Sequence, residues 1–197
     1  MKLKLFITSL IGLLLCLSSC NSNQFLLKNQ SHSVSAKHET ETISAHILIE
    51  TNKKVHPKIN RYYYSFRKGD VYKIKGGING TPLHGIYKEE YLNGSLKMLG
   101  NFHSGLKHGV WKEWHSNGEL KSVYHYSHGR KVRRFFHYNN SGKVIQKGRF
   151  LRDKKVGKEK ILNSDEEWEI KKYKLNGKEK LSIKKSEKIT KADSTST

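Results

Sequence analysis

In the run Gly109-Val110-Trp111-Lys112-Glu113-Trp114-His115-Ser116-Asn117-Gly118-Glu119-Leu120-Lys121, an aromatic-bearing stretch leads into Asn117-Gly118, and an apolar position follows at Leu120. Asn-Gly suits a tight turn because both residues accept positive φ at little cost, so the run reads as the middle of a β-hairpin. The pattern recurs at an offset of 24 residues. Gly85, Gly109 and Gly157 share one register, broken by Arg133. Gly94, Gly118 and Gly142 share a second, with Asp70 and Glu166 at its ends. Gly105, Gly129 and Gly177 form a third, with Thr81 and Asp153 as departures, and Gly76, Gly100 and Gly148 a fourth. Self-similarity at a fixed period of this size is the mark of a repeat architecture.

The apolar residues fall in columns at the same period. Tyr63, Tyr87, Trp111 and Phe135 precede the turns; Tyr72, Leu96, Leu120, Val144 and Trp168 follow them, as do Ile78, Phe102, Tyr126 and Phe150. The intervening positions are Lys, His, Glu and Ser, as on the solvated face of a strand. The expected fold is therefore all-β: about five hairpins of 24 residues in one extended single-layer antiparallel sheet spanning residues 61–181. One such hairpin is too small to be stable alone, and neighbours bury one another's aromatics.

Residues Gly109 to Lys121 with Tyr126-Ser127-His128-Gly129, and Gly85 to Gly105 with Tyr87, Asn93-Gly94, Leu96-Lys97 and Phe102, resemble the bacterial MORN-repeat variant. The resemblance implies a MORN-like sheet of hairpins. It also implies either an antitoxin of the YwqK type or the membrane and protein binding attributed to eukaryotic relatives.

Outside the repeats the composition changes. Lys2 and Lys4 precede an apolar run from Leu5 to Leu17, which reads as a signal peptide over residues 1–19 with a cleaved N-terminal helix. The run is shorter than the ~20 residues a membrane-spanning helix needs. Leu17-Ser18-Ser19-Cys20 resembles a bacterial lipobox, with Cys20 as the lipidated residue. Asn21, rather than an aspartate, follows Cys20, which points to the outer membrane where the cell has one. Cys16 leaves with the signal peptide and Cys20 is taken by lipid, so no thiol remains for a disulfide, a metal or catalysis. Residues 20–60, rich in Ser, Thr, Asn and His, are expected to be a flexible tether ending in one possible strand, where Ile43, Ala45, Ile47 and Ile49 alternate. Residues 182–197 are expected to be a disordered basic tail.

The net charge is +21, and loss of Lys2 and Lys4 would leave +19. A field of this sign attracts anions, and for an exported protein these are anionic lipids or other acidic envelope polymers. Basic residues interleave with aromatics at the centre of the array. The candidate binding surface is Trp111, Trp114, Tyr126, Arg130, Lys131, Arg133 and Arg134. Export argues against nucleic acid as the ligand. His84 and His108 share one repeat register, so they read as scaffold positions, and no metal ligand set is expected. No nucleophile elbow, phosphate-binding glycine loop or zincin motif occurs, so no catalytic residues and no cofactor are expected. The expected function is that of a non-catalytic binding or scaffold module at the cell envelope, held by its lipid anchor and facing a protein or an anionic partner. The alternative is an antitoxin-like or immunity-like protein. An open sheet edge would also allow a second copy to pair as a homodimer.

Overall fold

The computed structural model describes residues 31–49, 55–180 and 186–188; the signal peptide, the lipobox and Cys20 lie outside them. The described residues form β1 (Ser31–Lys37), β2 (Glu41–Leu48), β3 (Tyr62–Arg67), β4 (Asp70–Lys75), β5 (Thr81–Tyr91), β6 (Leu96–His103) and β7 (Leu106–Trp114). They continue with β8 (Leu120–Ser127), β9 (Arg130–Tyr138), β10 (Val144–Leu151), β11 (Lys154–Lys155), β12 (Gly157–Leu162), β13 (Glu167–Tyr173) and β14 (Ser186–Lys188). Every pairing is antiparallel, and the main path runs β1-β2-β5-β6-β7-β8-β9-β10-β12-β13-β14. The expected all-β open sheet of hairpins is what the chain forms. Among the described residues no helix is long and apolar enough to cross a membrane.

Two kinds of turn alternate along the sheet. At one end Ser104-Gly105 and His128-Gly129 both have positive φ, and they join strands whose last pairs are His103↔Leu106 and Ser127↔Arg130. These are two-residue turns whose twist matches the strands. At the other end Gly94 N donates to the Tyr91 carbonyl at 2.9 Å, and Gly118 N to the His115 carbonyl at 3.0 Å. There only the glycine has positive φ, so the expectation that asparagine shares it is corrected. Asn93 and Asn117 contribute through the side chain instead: their Oδ1 atoms accept from Ser95 N at 3.0 Å and Glu119 N at 3.1 Å.

The register of Gly85, Gly109 and Gly157 marks a bulge. Residues 109–111 face Gly100 alone, and residues 133–135 face Tyr124 alone. Arg133 takes the same left-handed conformation as the glycines, with φ 61°, so the backbone repeats where the residue type does not. A bulge bends its strand and re-aims the following side chains. Here it turns Trp111 and Phe135 onto one face.

Three boundaries differ from expectation. β2 falls on the stretch expected as a possible strand, but β1 lies within the expected tether, and the two form a hairpin that continues the sheet, with Ala36, Ile43 and Ala45 buried. Ser-His-Ser-Val-Ser-Ala-Lys offers only Val34 and Ala36 to a core, which is why β1 does not stand out as a strand. The unit at residues 61–84 does not stack in line: β5 pairs with β2, and the β3-β4 hairpin meets β5 only through Ser65↔Pro82 and Phe66↔Thr81. Tyr64, Phe66 and Val71 of that hairpin pack on the cluster of Leu83, Tyr87, Phe102 and Trp111 instead. Finally, β14 lies within the expected disordered tail and pairs with β13.

Candidate binding surface

A single-layer sheet has two faces, and cross-strand pairing places the repeat aromatics on one of them. Tyr87 lies opposite Gly100, Trp111 opposite Tyr124, and Phe135 opposite Gly148. The rings then meet from strand to strand. Tyr87 is 5.5 Å from Trp111, Phe102 is 4.9 Å from Trp111, Tyr124 stacks on Phe135 at 5.7 Å, and Phe135 is 4.8 Å from Phe150. Tilted and edge contacts of this kind add about 0.5–1.5 kcal/mol each beyond area burial. Lysines one repeat apart cap the rings: Lys107 Nζ lies 3.7 Å from the Trp111 ring centre, and Lys131 Nζ 3.8 Å from that of Tyr124. Burial, with Lys73 and Lys131 nearby, pushes the Lys107 amine down to about 8.

The seven residues expected to form one binding strip are therefore dispersed. Trp111 is 3% exposed, with its indole N–H donating to the Asn101 carbonyl at 3.2 Å, so it is core rather than contact surface. Tyr126 packs against the same core, and Lys131 caps Tyr124 beside it. Trp114 is half-buried at the end of β7, where its carbonyl accepts from the Tyr91 hydroxyl at 2.9 Å. Arg130 reaches Asp153 at 3.9 Å, and Arg133 occupies the bulge. Arg134 lines a pocket on the opposite face.

That opposite face holds a cluster the sequence did not isolate. Arg134 pairs across strands with Arg149, Lys147 with Lys160, and Lys158 with Lys172. Like charges directly opposite each other are destabilising by up to about 1 kcal/mol a pair. Arg134, Lys147, Arg149, Lys158 and Lys160, with Phe136, line a pocket of about 430 Å³ across β9, β10 and β12. No acidic side chain lines it. Toward β5–β7 the same face is apolar and mixed, with Ile86, Leu99 and Val110 exposed and Lys88 paired to Glu90 at 2.7 Å. The signal in the sequence is the spacing of two in Lys147/Arg149 and Lys158/Lys160, but only the register across β10 and β12 joins the two pairs.

Acids sit on the aromatic face instead, each held by donors. Glu89 accepts from Tyr87 at 2.9 Å and from Lys97 at 2.6 Å; one repeat on, Glu113 accepts from Lys121 at 2.7 Å. Glu159, 1% exposed, accepts from Lys155 at 2.5 Å, Gln146 at 2.7 Å and Tyr173 at 2.8 Å. Burial pushes its carboxyl up, and these three donors more than reverse that, holding it below the ordinary value. His84, His103, His108 and His128 form a row with ring centres 4.9, 6.2 and 6.1 Å apart. Burial, with a neighbouring imidazole, lowers His84 and His103. Among the described residues no group of three or more His, Cys, Asp and Glu side chains is arranged to hold a metal ion.

These hairpins, bulged after the turn glycine and faced with aromatics, are the repeat unit, and their family match falls on two of them. Residues 83–104 and 107–128 match the MORN repeat variant. The first MORN stretch covers most of β5 and all of β6, and the second covers most of β7 and all of β8, the hairpins that hold Gly85 and Gly94, and Gly109 and Gly118. No curated protein matches the chain. MORN repeats point to a binding or scaffold module.

Proposed function

We propose that the chain is a non-catalytic binding module, held at the cell envelope by lipid on Cys20, that offers the face opposite its aromatic ladder to an anionic partner. The observation that carries this reading is the gathering of Arg134, Lys147, Arg149, Lys158 and Lys160 on one face without an acid among them. The aromatic face is consumed by self-packing, whereas Arg134, Arg149 and Lys158 on the opposite face are exposed. Two or three acyl chains, at about 0.8 kcal/mol per buried methylene, would hold the module permanently at a membrane surface. The anchor is supported by the order Leu17-Ser18-Ser19-Cys20 after an apolar run.

Capture from envelope extract at low and high salt tests the surface. The full chain is expected to retain an anionic partner that high salt releases, and R134E/R149E/K158E to lose it. A single protein retained at high salt, equally by both forms, would replace this reading with the immunity-like one. For the anchor, Cys20→Ala is expected to abolish incorporation of labelled fatty acid and release the protein from membranes; unchanged labelling would refute it.

A further inference from the structure

We infer that the pocket between β9, β10 and β12 is a site for a small soluble phosphate ester carrying two or more negative charges. The inference rests on the reading of this face as the binding surface and narrows it to one place and one ligand chemistry. Three observations lead to it.

The first is the composition of the lining. Five cations and no acid surround about 430 Å³, enough for a compact ligand of a few tens of atoms and too crowded with charge for a neutral one. Arg134, Arg149 and Lys158 have no carboxylate partner among the described residues. One carboxylate would match only one of these three cations, whereas a phosphate monoester or diphosphate supplies two or more charges on tetrahedrally arranged oxygens. The guanidinium forks of Arg134 and Arg149, set opposite each other across β9 and β10, match such oxygens in pairs.

The second is the backbone. Arg134 stands within the three-residue bulge of β9, and this bulge begins with a strained arginine, Arg133 at φ 61°, where β5, β7 and the start of β12 have Gly85, Gly109 and Gly157. The bulge sets Arg134 over the pocket beside Phe136, whose ring supplies an apolar wall.

The third is shape. The cations line a shallow, open concavity. Of the exposed apolar residues on this face, Ile86, Leu99 and Val110 lie on β5 to β7, away from the pocket, and Leu151, two residues beyond Arg149, ends β10. A free ligand fits this better than a membrane surface does.

The test is calorimetric titration of the full chain in detergent with inorganic pyrophosphate, and with sulfate as a smaller dianion. Pyrophosphate is expected to bind, sulfate at least tenfold more weakly. R134Q/R149Q/K158Q is expected to weaken pyrophosphate at least tenfold, while K37Q/K75Q/K112Q, which removes as many exposed cations elsewhere, changes it less than twofold. Because the three pocket substitutions relieve like-charge pairs, the thermal midpoint of that variant is expected to be no lower than that of the parent. If it falls, single R149Q and K158Q variants carry the comparison. Equal loss in both triple variants would mean that only net charge matters, and absence of pyrophosphate binding would remove the site; either overturns the inference. Flotation with vesicles of phosphatidylcholine and phosphatidic acid is the remaining arm. Vesicle binding that needs the pocket arginines and is not displaced by pyrophosphate would assign the patch to a membrane surface instead. Partner capture by the same face is read separately, so the proposed function can survive the loss of this site.

Discussion

Gly100 lies beneath the Trp111 ring, and replacing it with alanine tests whether that packing holds the sheet together. A Cβ at Gly100 would come within 2.7 Å or less of three atoms of the indole, distances that real side chains do not tolerate. Gly100 has no left-handed φ, so the cost is steric rather than conformational. Trp111 has little room to yield: it is 3% exposed, with Tyr87, Phe102 and Tyr126 around it. Forcing one extra methyl into a packed site costs about 1–3 kcal/mol. The lost unfolded-state freedom of glycine returns about 0.4–1 kcal/mol, leaving a net loss of about 1–2 kcal/mol. For a folded region of this size each kcal/mol moves the midpoint by about 2–4 °C, so Gly100→Ala is expected to melt about 2–8 °C lower by calorimetry. Trp111→Leu removes the ring, and in that background Gly100→Ala should cost less than half as much. A midpoint at or above that of the parent, or an equal cost in both backgrounds, would refute the argument.

Glu159→Gln should destabilise the C-terminal hairpins by about 1–2 kcal/mol in urea unfolding, because the buried carboxylate that accepts from Lys155, Gln146 and Tyr173 becomes an amide that cannot accept from all three. The Glu159 carboxyl titrates below its unfolded value, so its stabilisation is present above that value and is lost as pH falls through the folded one. The acid limb of a stability profile should accordingly flatten in the Gln variant. Lys107 titrates at about 8 when folded and near 10.5 when unfolded, so the unfolded chain binds the extra proton between these values and stability should rise with pH across that window. Lys107→Met should remove the rise in a pH series of thermal midpoints. Arg133→Gly should raise the midpoint by a few degrees by relieving about 1 kcal/mol of left-handed strain; a fall would show that the arginine makes a stabilising contact.

The glycine registers and aromatic columns were legible because each corresponds to a backbone demand that recurs every repeat: positive φ at a turn, positive φ at a bulge, or space beneath a ring. Arg133, Asp153 and Glu166 break the pattern of residue type and keep that of conformation, with φ of 61°, 71° and 60°. What could not be read was the N-terminal arrangement. The pairing of β2 with β5 in place of β4 is a choice between two hairpins of similar polarity, made where Tyr64 and Phe66 find more apolar contact on the sheet than beside it. A local alternation pattern carries no information about that competition.

The binding strip was misread for a related reason. Proximity in sequence placed Trp111, Lys131 and Arg134 in one basic aromatic run, but a strand alternates its side chains between faces. Trp111 and Lys131 therefore turn inward, where the ring supplies the core and the amine caps it. Arg134, three residues beyond Lys131 and inside the bulge, turns outward to meet Arg149 from the next strand. Repulsion across Arg134↔Arg149 and Lys158↔Lys172 contributes nothing to folding, while the aromatic face already supplies a core. Exposed cations held side by side where they add nothing to the core are what the proposed anion site requires, and losing pyrophosphate binding without losing stability in R134Q/R149Q/K158Q would separate the two roles.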